Sequence, residues 1–158
     1  MERTTEYFKK MELLKKHLIE WEGFTKEEAN AMYYSELFDS FSCGTWEYKV
    51  FTEAEANEAV REEIAETLWA FNPSFILEYT EFYKHSTFEE DDAFEDSIKE
   101  LQSRICEGAN PIIKALIRDM DEFVNDAIQA DGRGHFLATY DGEEIELNGG
   151  KYLAYRIN

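Results

Sequence analysis

Rows of carboxylate side chains are the most distinctive candidate functional groups in this chain. The first row is four glutamates spaced three or four residues apart, as on one face of a helix: Glu55, Glu58, Glu62 and Glu66. The second group, Asp91, Asp92 and Glu95, lies within the acidic run from Glu89 to Glu100. Neighbouring like charges on a helix are mildly destabilising, so their accumulation indicates either a function or simple tolerance.

The spacing of these carboxylates can be compared with that of DNA phosphates. One charge per three to four helical residues gives a separation of roughly 5–6 Å, against about 3.4 Å along a DNA strand. One row is therefore too sparse to imitate DNA. Two adjacent rows would approach that density if they were joined by Asp119, Asp121, Glu122 and Asp126. Two interpretations remain open, namely a mimic of nucleic acid and a merely solvated acidic face.

A glycine-flanked segment, Asp131-Gly132-Arg133-Gly134-His135, is the second candidate site. Asp131 could orient the imidazole of His135, and Arg133 could hold an anion, so the segment could bind a small ligand such as a nucleotide. The alternative is a structural turn, because glycine commonly ends helices and permits sharp reversals. No nucleophile lies nearby in the sequence, so we assign no catalytic residue and predict a protein that is not an enzyme.

Metal and cofactor sites are not indicated by the sequence. The three histidines and two cysteines, His17, His85, His135, Cys43 and Cys106, lack the spacing of metal ligands. The chain also lacks a phosphate-binding loop, a dinucleotide fingerprint and a nucleophile elbow. We therefore predict no metal and no cofactor.

The net charge of −19, from 35 acidic and 16 basic residues, limits the classes of partner. Such a field repels nucleic acid and anionic membranes and attracts basic protein surfaces. We expect a basic protein partner, no direct binding of nucleic acid and no membrane association. The alternative is an acidic structural or interaction protein whose charge only maintains solubility. A charged N-terminus without an apolar signal segment and only two cysteines favour a cytoplasmic location.

Hydrophobic periodicity predicts an α+β fold in a single domain, 1–158, with about six helices packed on a small antiparallel sheet. Helices are expected at residues 6–21, 25–37, 52–71 and 87–106, after Pro73 and Pro111, and from Asp121 to near Gly132. Strands are expected at residues 46–51, 135–140, 144–147 and 152–157, the last three forming a C-terminal three-stranded meander. Residues 40–45 are expected to form a loop.

Five residues are predicted to cap helices, and one of them is Asp121 at the start of the last helix. Thr25 and Thr52 each precede a glutamate by three residues, which is the pattern of a capping box. Asn72 and Asn110 each precede a proline, and asparagine before a first-turn proline is a favoured helix start.

Several segments carry a resemblance to a known group of proteins. They are Ala130–Leu137 (ADGRGHFL), Tyr140–Glu144 (YDGEE), Tyr155–Asn158 (YRIN) and the stretch from Leu68 to Leu77. In these segments the chain resembles small acidic accessory proteins encoded by bacteriophages and related mobile elements. The resemblance implies an intracellular phage protein in a bacterial host cell, but it supplies no assigned activity and no catalytic residues. By analogy with antirestriction and anti-CRISPR proteins, we expect an inhibitor that enters the basic channel of a host nuclease or CRISPR effector.

Overall fold

The computed structural model describes residues 2–158 of the chain. Its α-helices are α1 (Glu2–Trp21), α2 (Lys26–Asn30), α3 (Glu53–Glu66), α4 (Pro73–Glu78), α5 (Phe88–Ile105), α6 (Asn110–Leu116), α7 (Met120–Asp131) and α8 (Arg133–Leu137). Its strands are β1 (Tyr33–Ser35), β2 (Ser40–Cys43), β3 (Trp46–Thr52), β4 (Glu144–Leu147) and β5 (Tyr152–Arg156). Single 3₁₀ turns occupy Leu68–Ala70, Glu81–Lys84 and Cys106–Ala109. The α+β fold expected from the sequence is confirmed.

The strands form one antiparallel sheet in the order β1-β2-β3-β5-β4. β3 is central and pairs with all five residues of β5, from Tyr48 opposite Arg156 to Thr52 opposite Tyr152. The β4–β5 hairpin turns through Asn148, Gly149 and Gly150, all with positive φ. A left-handed backbone of this kind favours glycine and asparagine, which is why this hairpin was predictable.

The predicted C-terminal meander is wrong in its first strand. Residues 133–137 form the short helix α8, whereas β4 and β5 lie where they were expected. The missing strand would have paired with β4, which instead forms an edge of the sheet, whereas β3 pairs with β5 on its other side. β3 is a seven-residue strand rich in β-branched and aromatic side chains, and it pairs along the whole of β5.

The segment between α2 and β3 also differs from the prediction. The expected helix over residues 25–37 ends at Asn30, and the expected loop at 40–45 contains β2. Residues 33–43 form the β1–β2 hairpin instead, in which Tyr34 opposes Phe41. The apolar residues of this segment are spaced as in a helix, but the segment forms strands because pairing with β3 buries every residue of β2.

The chain forms two compact units. The first consists of Met1–Val60 and Gly132–Asn158 and contains the sheet, whereas the second is the continuous segment Arg61–Asp131 and is helical. Helix α3 begins in the first unit and ends in the second. The single domain expected from the chain length stays a prediction.

Each unit has its own buried apolar side chains. In the first unit, Leu14 and Leu18 of α1 belong to a buried cluster with Phe41, Tyr48 and Val50 of the sheet. The second unit is centred on the ring of Phe123, which is fully buried. This ring lies 5.2 Å from Phe71, 5.0 Å from Phe75 and 5.2 Å from Tyr79, measured between ring centroids. Aromatic side chains therefore supply much of the core, as contacts of this geometry are favourable.

Three of the five predicted caps are confirmed. Thr25 and Thr52 each accept a hydrogen bond from the backbone N–H of the glutamate three residues later, and each threonine N–H donates one to the carboxylate of that glutamate. Asn72 accepts a hydrogen bond from the backbone N–H of Ser74 at the start of α4.

Two predicted caps are wrong. Asp121 lies inside α7, and Asp119 caps this helix instead, because its carboxylate accepts hydrogen bonds from the backbone N–H groups of Asp121 and Glu122. Asn110 is the second. This residue lies inside α6, and its side chain accepts a hydrogen bond from the N–H of Trp69 at 2.8 Å and donates one to the carbonyl of Glu66. Its side chain thereby provides hydrogen-bond partners for backbone groups at and just after the end of α3, which have none within that helix. The local Asn-Pro pattern cannot reveal this role.

Candidate functional site

The α3 stripe, defined as Glu55, Glu58, Glu62 and Glu66, lies on a single continuous helix as predicted. All four residues are exposed. Within the described part of the chain, no cation lies within ion-pair distance of Glu58, Glu62 or Glu66. Arg61, which lies beside Glu62 in the sequence, is paired with Asp121 and not with the stripe. Three carboxylates of the stripe therefore face solvent without a partner.

Glu55 differs from the rest of the stripe because its carboxylate has a structural role. It accepts hydrogen bonds from Lys10 Nζ at 2.6 Å and from the backbone N–H of Thr52 at 2.8 Å. Partial burial would raise the pKa of Glu55, but these hydrogen bonds and the charge of Lys10 hold that pKa below its usual range. Glu55 is thus part of the cap of α3 and less available to a partner than Glu58, Glu62 and Glu66.

The α5 cluster, defined as Asp91, Asp92 and Glu95, lies in the first half of α5. Thr87 and Glu90 form a capping box at the start of this helix. Acidic side chains there also complement the positive end of the helix dipole. Asp91 accepts a hydrogen bond from Ser86 Oγ and is half-buried, whereas Asp92 is exposed. Stabilisation of the start of α5 therefore explains some of the acidic residues in this cluster but not all of them.

The two units differ in their charge density. The first unit has 17 acidic and 10 basic residues and a net charge of −7, whereas the second has 18 acidic and 6 basic residues and a net charge of −12. The second unit is also the shorter of the two. The acidity predicted from composition is therefore concentrated in the helical unit, to which Glu62, Glu66 and the α5 cluster belong.

The glycine-flanked segment is divided between the units. Asp131 is the last residue of α7, in the second unit, and is exposed. His135 lies in α8 of the first unit, is exposed and contacts the ring of Phe136 at 4.9 Å between centroids. Gly132 joins the two helices with a φ of 80°. This local geometry is that of a turn between two helices.

Arg133 is engaged by side chains of its own unit. Its Nε and Nη2 donate hydrogen bonds to the two carboxylate oxygens of Glu144 at 2.8 and 2.9 Å, and Nη1 donates one to Asn57 Oδ1 at 2.9 Å. The hydroxyl of Tyr155, which is fully buried, donates to Glu144 at 2.5 Å. We call Asn57, Arg133, Glu144 and Tyr155 the arginine network.

The electrostatics of the arginine network follow from this geometry. Burial would raise the pKa of Glu144, but the hydrogen bonds from Arg133 and Tyr155 and the charge of Arg133 lower it. The hydrogen bond to Glu144 raises the pKa of Arg133. The pKa of Tyr155 is raised mainly by burial of its hydroxyl and further by its hydrogen bond to Glu144. The guanidinium is therefore already neutralised by a bidentate carboxylate, the pairing that its planar geometry favours.

Close backbone packing at position 134 explains why this segment requires a glycine there. A Cβ atom at this position would lie 2.3 Å from the carbonyl oxygen of Gly142 and 3.0 Å from the nitrogen of Glu144. Only glycine allows α8 to approach this backbone so closely. The close approach places Arg133 beside Glu144, so the motif that suggested a ligand site builds an internal ion pair.

Residues in two places were not predicted from the sequence. The hydrogen-bond partners of Arg133 lie far from it in the sequence, at positions 57 and 144, and only the acidic segment after Asp141-Gly142 hinted at one of them. The helix expected over residues 25–37 would have ended at Leu37, whereas Leu37 and Phe38 project from the tip of the β1–β2 hairpin and are 83% and 62% exposed. Their position between two segments rich in aromatic residues and serine could have indicated a hairpin tip.

Comparisons with known proteins do not assign this chain to a group. No protein-family model, curated protein or solved structure matches it. Among the described residues, no group of three or more histidine, cysteine or acidic side chains is arranged to hold a metal ion. The described helices are also too short or too polar to span a bilayer.

Proposed function

We propose that this protein is an acidic inhibitor that binds the basic nucleic-acid channel of a host defence protein, such as a nuclease or a CRISPR effector. The observation that carries the proposal is a set of carboxylates that have no ion-pair partner in the described part of the chain. Glu58, Glu62, Glu66 and Asp92 are exposed, and Glu95 is half-buried. In this proposal the protein acts in the cytoplasm of a bacterial cell, neither binds nucleic acid itself nor uses a cofactor, and occupies the site where DNA or RNA would lie.

The charge of the channel would supply most of the attraction. A surface built to hold nucleic acid places lysine and arginine where phosphates lie, and a protein with a net charge of −19 offers a matching field. Unpaired, exposed carboxylates lose no existing ion pair when they bind. Carboxylates such as Glu55 would have to exchange one partner for another, so they contribute less.

The phage context of this proposal comes from the sequence resemblance alone. The alternative of a nucleotide-binding module is not carried forward, since Arg133 would have to leave Glu144 and Asn57 to bind a phosphate. An acidic protein without mimicry is the outcome expected if the experiment below fails.

The experiment is a pull-down from nuclease-treated bacterial lysate, followed by a DNA-displacement assay on the protein recovered. We expect retention of a basic nucleic-acid-binding protein at low salt and its release at high salt, because screening weakens electrostatic contacts. The purified pair should then show loss of DNA binding as the acidic protein is added. Recovery of no such protein, or recovery of one that still binds DNA in the complex, would overturn the proposal.

Two charge-matched variants test which carboxylates act. The stripe variant is Glu58→Lys, Glu62→Lys and Glu66→Lys, and the control reverses three exposed glutamates elsewhere, Glu27→Lys, Glu107→Lys and Glu143→Lys. Both change the net charge equally. The stripe variant should lose displacement of DNA by at least about tenfold, which corresponds to about 1.4 kcal/mol, whereas the control should retain most of it. Equal losses would show that only net charge matters.

A further inference from the structure

The two edges of the sheet differ in how they are protected. β4 forms one edge and carries Glu144 and Glu146, whereas β1 forms the other edge with the uncharged sequence Tyr33-Tyr34-Ser35. Edge strands expose unpaired backbone groups, and natural proteins protect them with charged side chains or proline. β1 has neither among its own three residues and is short, so it is the edge at which another strand can add.

The turn that follows β1 exposes large apolar side chains. Leu37 is 83% and Phe38 is 62% exposed, and Tyr33 at the start of the same strand is 61% exposed. A single exposed apolar residue is ordinary in a soluble protein. Three within six residues of one hairpin, continuous with an uncharged strand edge, have the features of an interaction site.

The hairpin is held in one conformation by its own contacts. The hydroxyl of Tyr34 donates a hydrogen bond to Asp39 Oδ1 at 2.5 Å, and this bond raises the pKa of Tyr34 to about 12. The ring of Tyr34 also packs 4.8 Å from Tyr7 and 5.2 Å from Phe41, measured between centroids. A site that is ordered in advance loses less conformational entropy on binding.

We propose that β1 and this apolar tip bind an extended, basic segment of a partner protein, which adds to the sheet as a further strand. The backbone of β1 would pair with the segment, and Leu37 and Phe38 would contact its apolar side chains. Glu36 is exposed and has no ion pair among the described residues, so it can receive a lysine or arginine. A second copy of the chain is the less favourable occupant, because each copy carries a charge of −19.

The experiment uses random short peptides as the probe and does not depend on the proposed function. A displayed peptide library is selected on the full-length protein and counter-selected on the double variant Leu37→Ser, Phe38→Ser. We expect enriched peptides that combine lysine or arginine with apolar residues, and a loss of affinity of about tenfold or more in the double variant, as for anchor residues of interfaces. Circular dichroism should show that this variant, altered only at exposed positions, remains folded.

Three controls separate this mode of binding from others. Trp21→Ser removes an aromatic side chain that is 77% exposed at the end of α1, and it should leave peptide affinity unchanged. N-methylation of alternate peptide amides should abolish binding, because strand addition requires backbone hydrogen bonds. The stripe variant should bind the peptides about as well as the unaltered chain, so that failure here and failure of the proposed inhibition are told apart.

Other outcomes would overturn the proposal. They are the absence of enriched peptides, enrichment of acidic peptides, and peptides that bind equally to the hairpin variant. Sedimentation adds a further test. A dimer of the unaltered protein that is lost in the hairpin variant would assign this edge to a second copy of the chain.

Discussion

The carboxylates of this protein fall into two environments, represented by Glu144 in the arginine network and by Glu58, Glu62 and Glu66 on the α3 stripe. The side chain of Glu144 is 24% exposed and is bound by Arg133, which is 18% exposed, and by the buried hydroxyl of Tyr155. These three glutamates of the stripe are exposed and lack ion pairs in the described part of the chain. The same side-chain type is thus part of the fold in one region and free for a partner in the other.

This difference shows that a count of charges does not locate a binding surface. The segment with the more suggestive sequence, two glycines around an arginine and a histidine, is occupied by an internal ion pair. The less distinctive glutamate repeat leaves its charges available. Variants in the two regions should therefore differ in kind, with losses of stability in the arginine network and losses of binding on the stripe.

The largest loss of stability is expected from Gly134→Ala. The added Cβ would lie 2.3 Å from the carbonyl oxygen of Gly142, so α8 must move away from β4 and carry Arg133 with it. We expect a decrease of about 3 kcal/mol in the free energy of unfolding, measured by urea denaturation. Gly108→Ala is the control, because its Cβ would only meet Ile105 at an ordinary 3.6 Å. Equal losses in both variants would show that the close approach is not important.

The next largest loss is expected from Arg133→Met. It removes two hydrogen bonds to Glu144 and one to Asn57, and it leaves a half-buried carboxylate without its cation. We expect a loss of about 2 kcal/mol, less than for a fully buried pair because water reaches both side chains. The double variant with Glu144→Met should recover part of this loss, since no unpaired charge remains. A double variant that loses the sum of the two single losses would contradict this interpretation.

A smaller effect concerns the pH dependence of stability. The folded protein lowers the pKa of Glu144, so the unfolded chain binds more protons in acid. The stabilisation by this carboxylate is therefore complete above its unfolded pKa, the ordinary value of 4.5, and is lost as the pH falls through the lower folded value. Glu144→Gln should flatten the dependence of unfolding free energy on pH below about 4.5. An unchanged slope would mean that other carboxylates dominate acid unfolding.

The sequence predicted those elements whose signals are local. The capping boxes at Thr25 and Thr52 and the turn at Asn148-Gly149-Gly150 involve residues within a few positions of each other, and each was placed correctly. The errors concern contacts between distant segments. Residues 135–140 do not form the strand expected beside β4, and Asn110 binds backbone at positions 66 and 69.

The candidate sites follow the same rule. Helical spacing was enough to align the stripe glutamates on α3, because that alignment needs only the helix itself. Whether Arg133 was free could not be inferred locally, since its partners are separated from it by 11 residues in one direction and 76 in the other. The exposed tip at Leu37 and Phe38 depended on the pairing of β2 with β3, which converts an apparent helix into a hairpin.

The smallest effect on stability is expected from the stripe variant, Glu58→Lys, Glu62→Lys and Glu66→Lys. No ion pair is lost, and the like-charge i,i+4 pairs between 58 and 62 and between 62 and 66 persist with the opposite sign. Glu66 is the last residue of α3, where a cation complements the helix dipole better than an anion. The net charge also falls in magnitude, which reduces self-repulsion. We therefore expect the free energy of unfolding in urea to stay within about 0.5 kcal/mol of its original value. A loss comparable to that of Arg133→Met would mean that these carboxylates are part of the fold, and the distinction between the two regions would no longer hold.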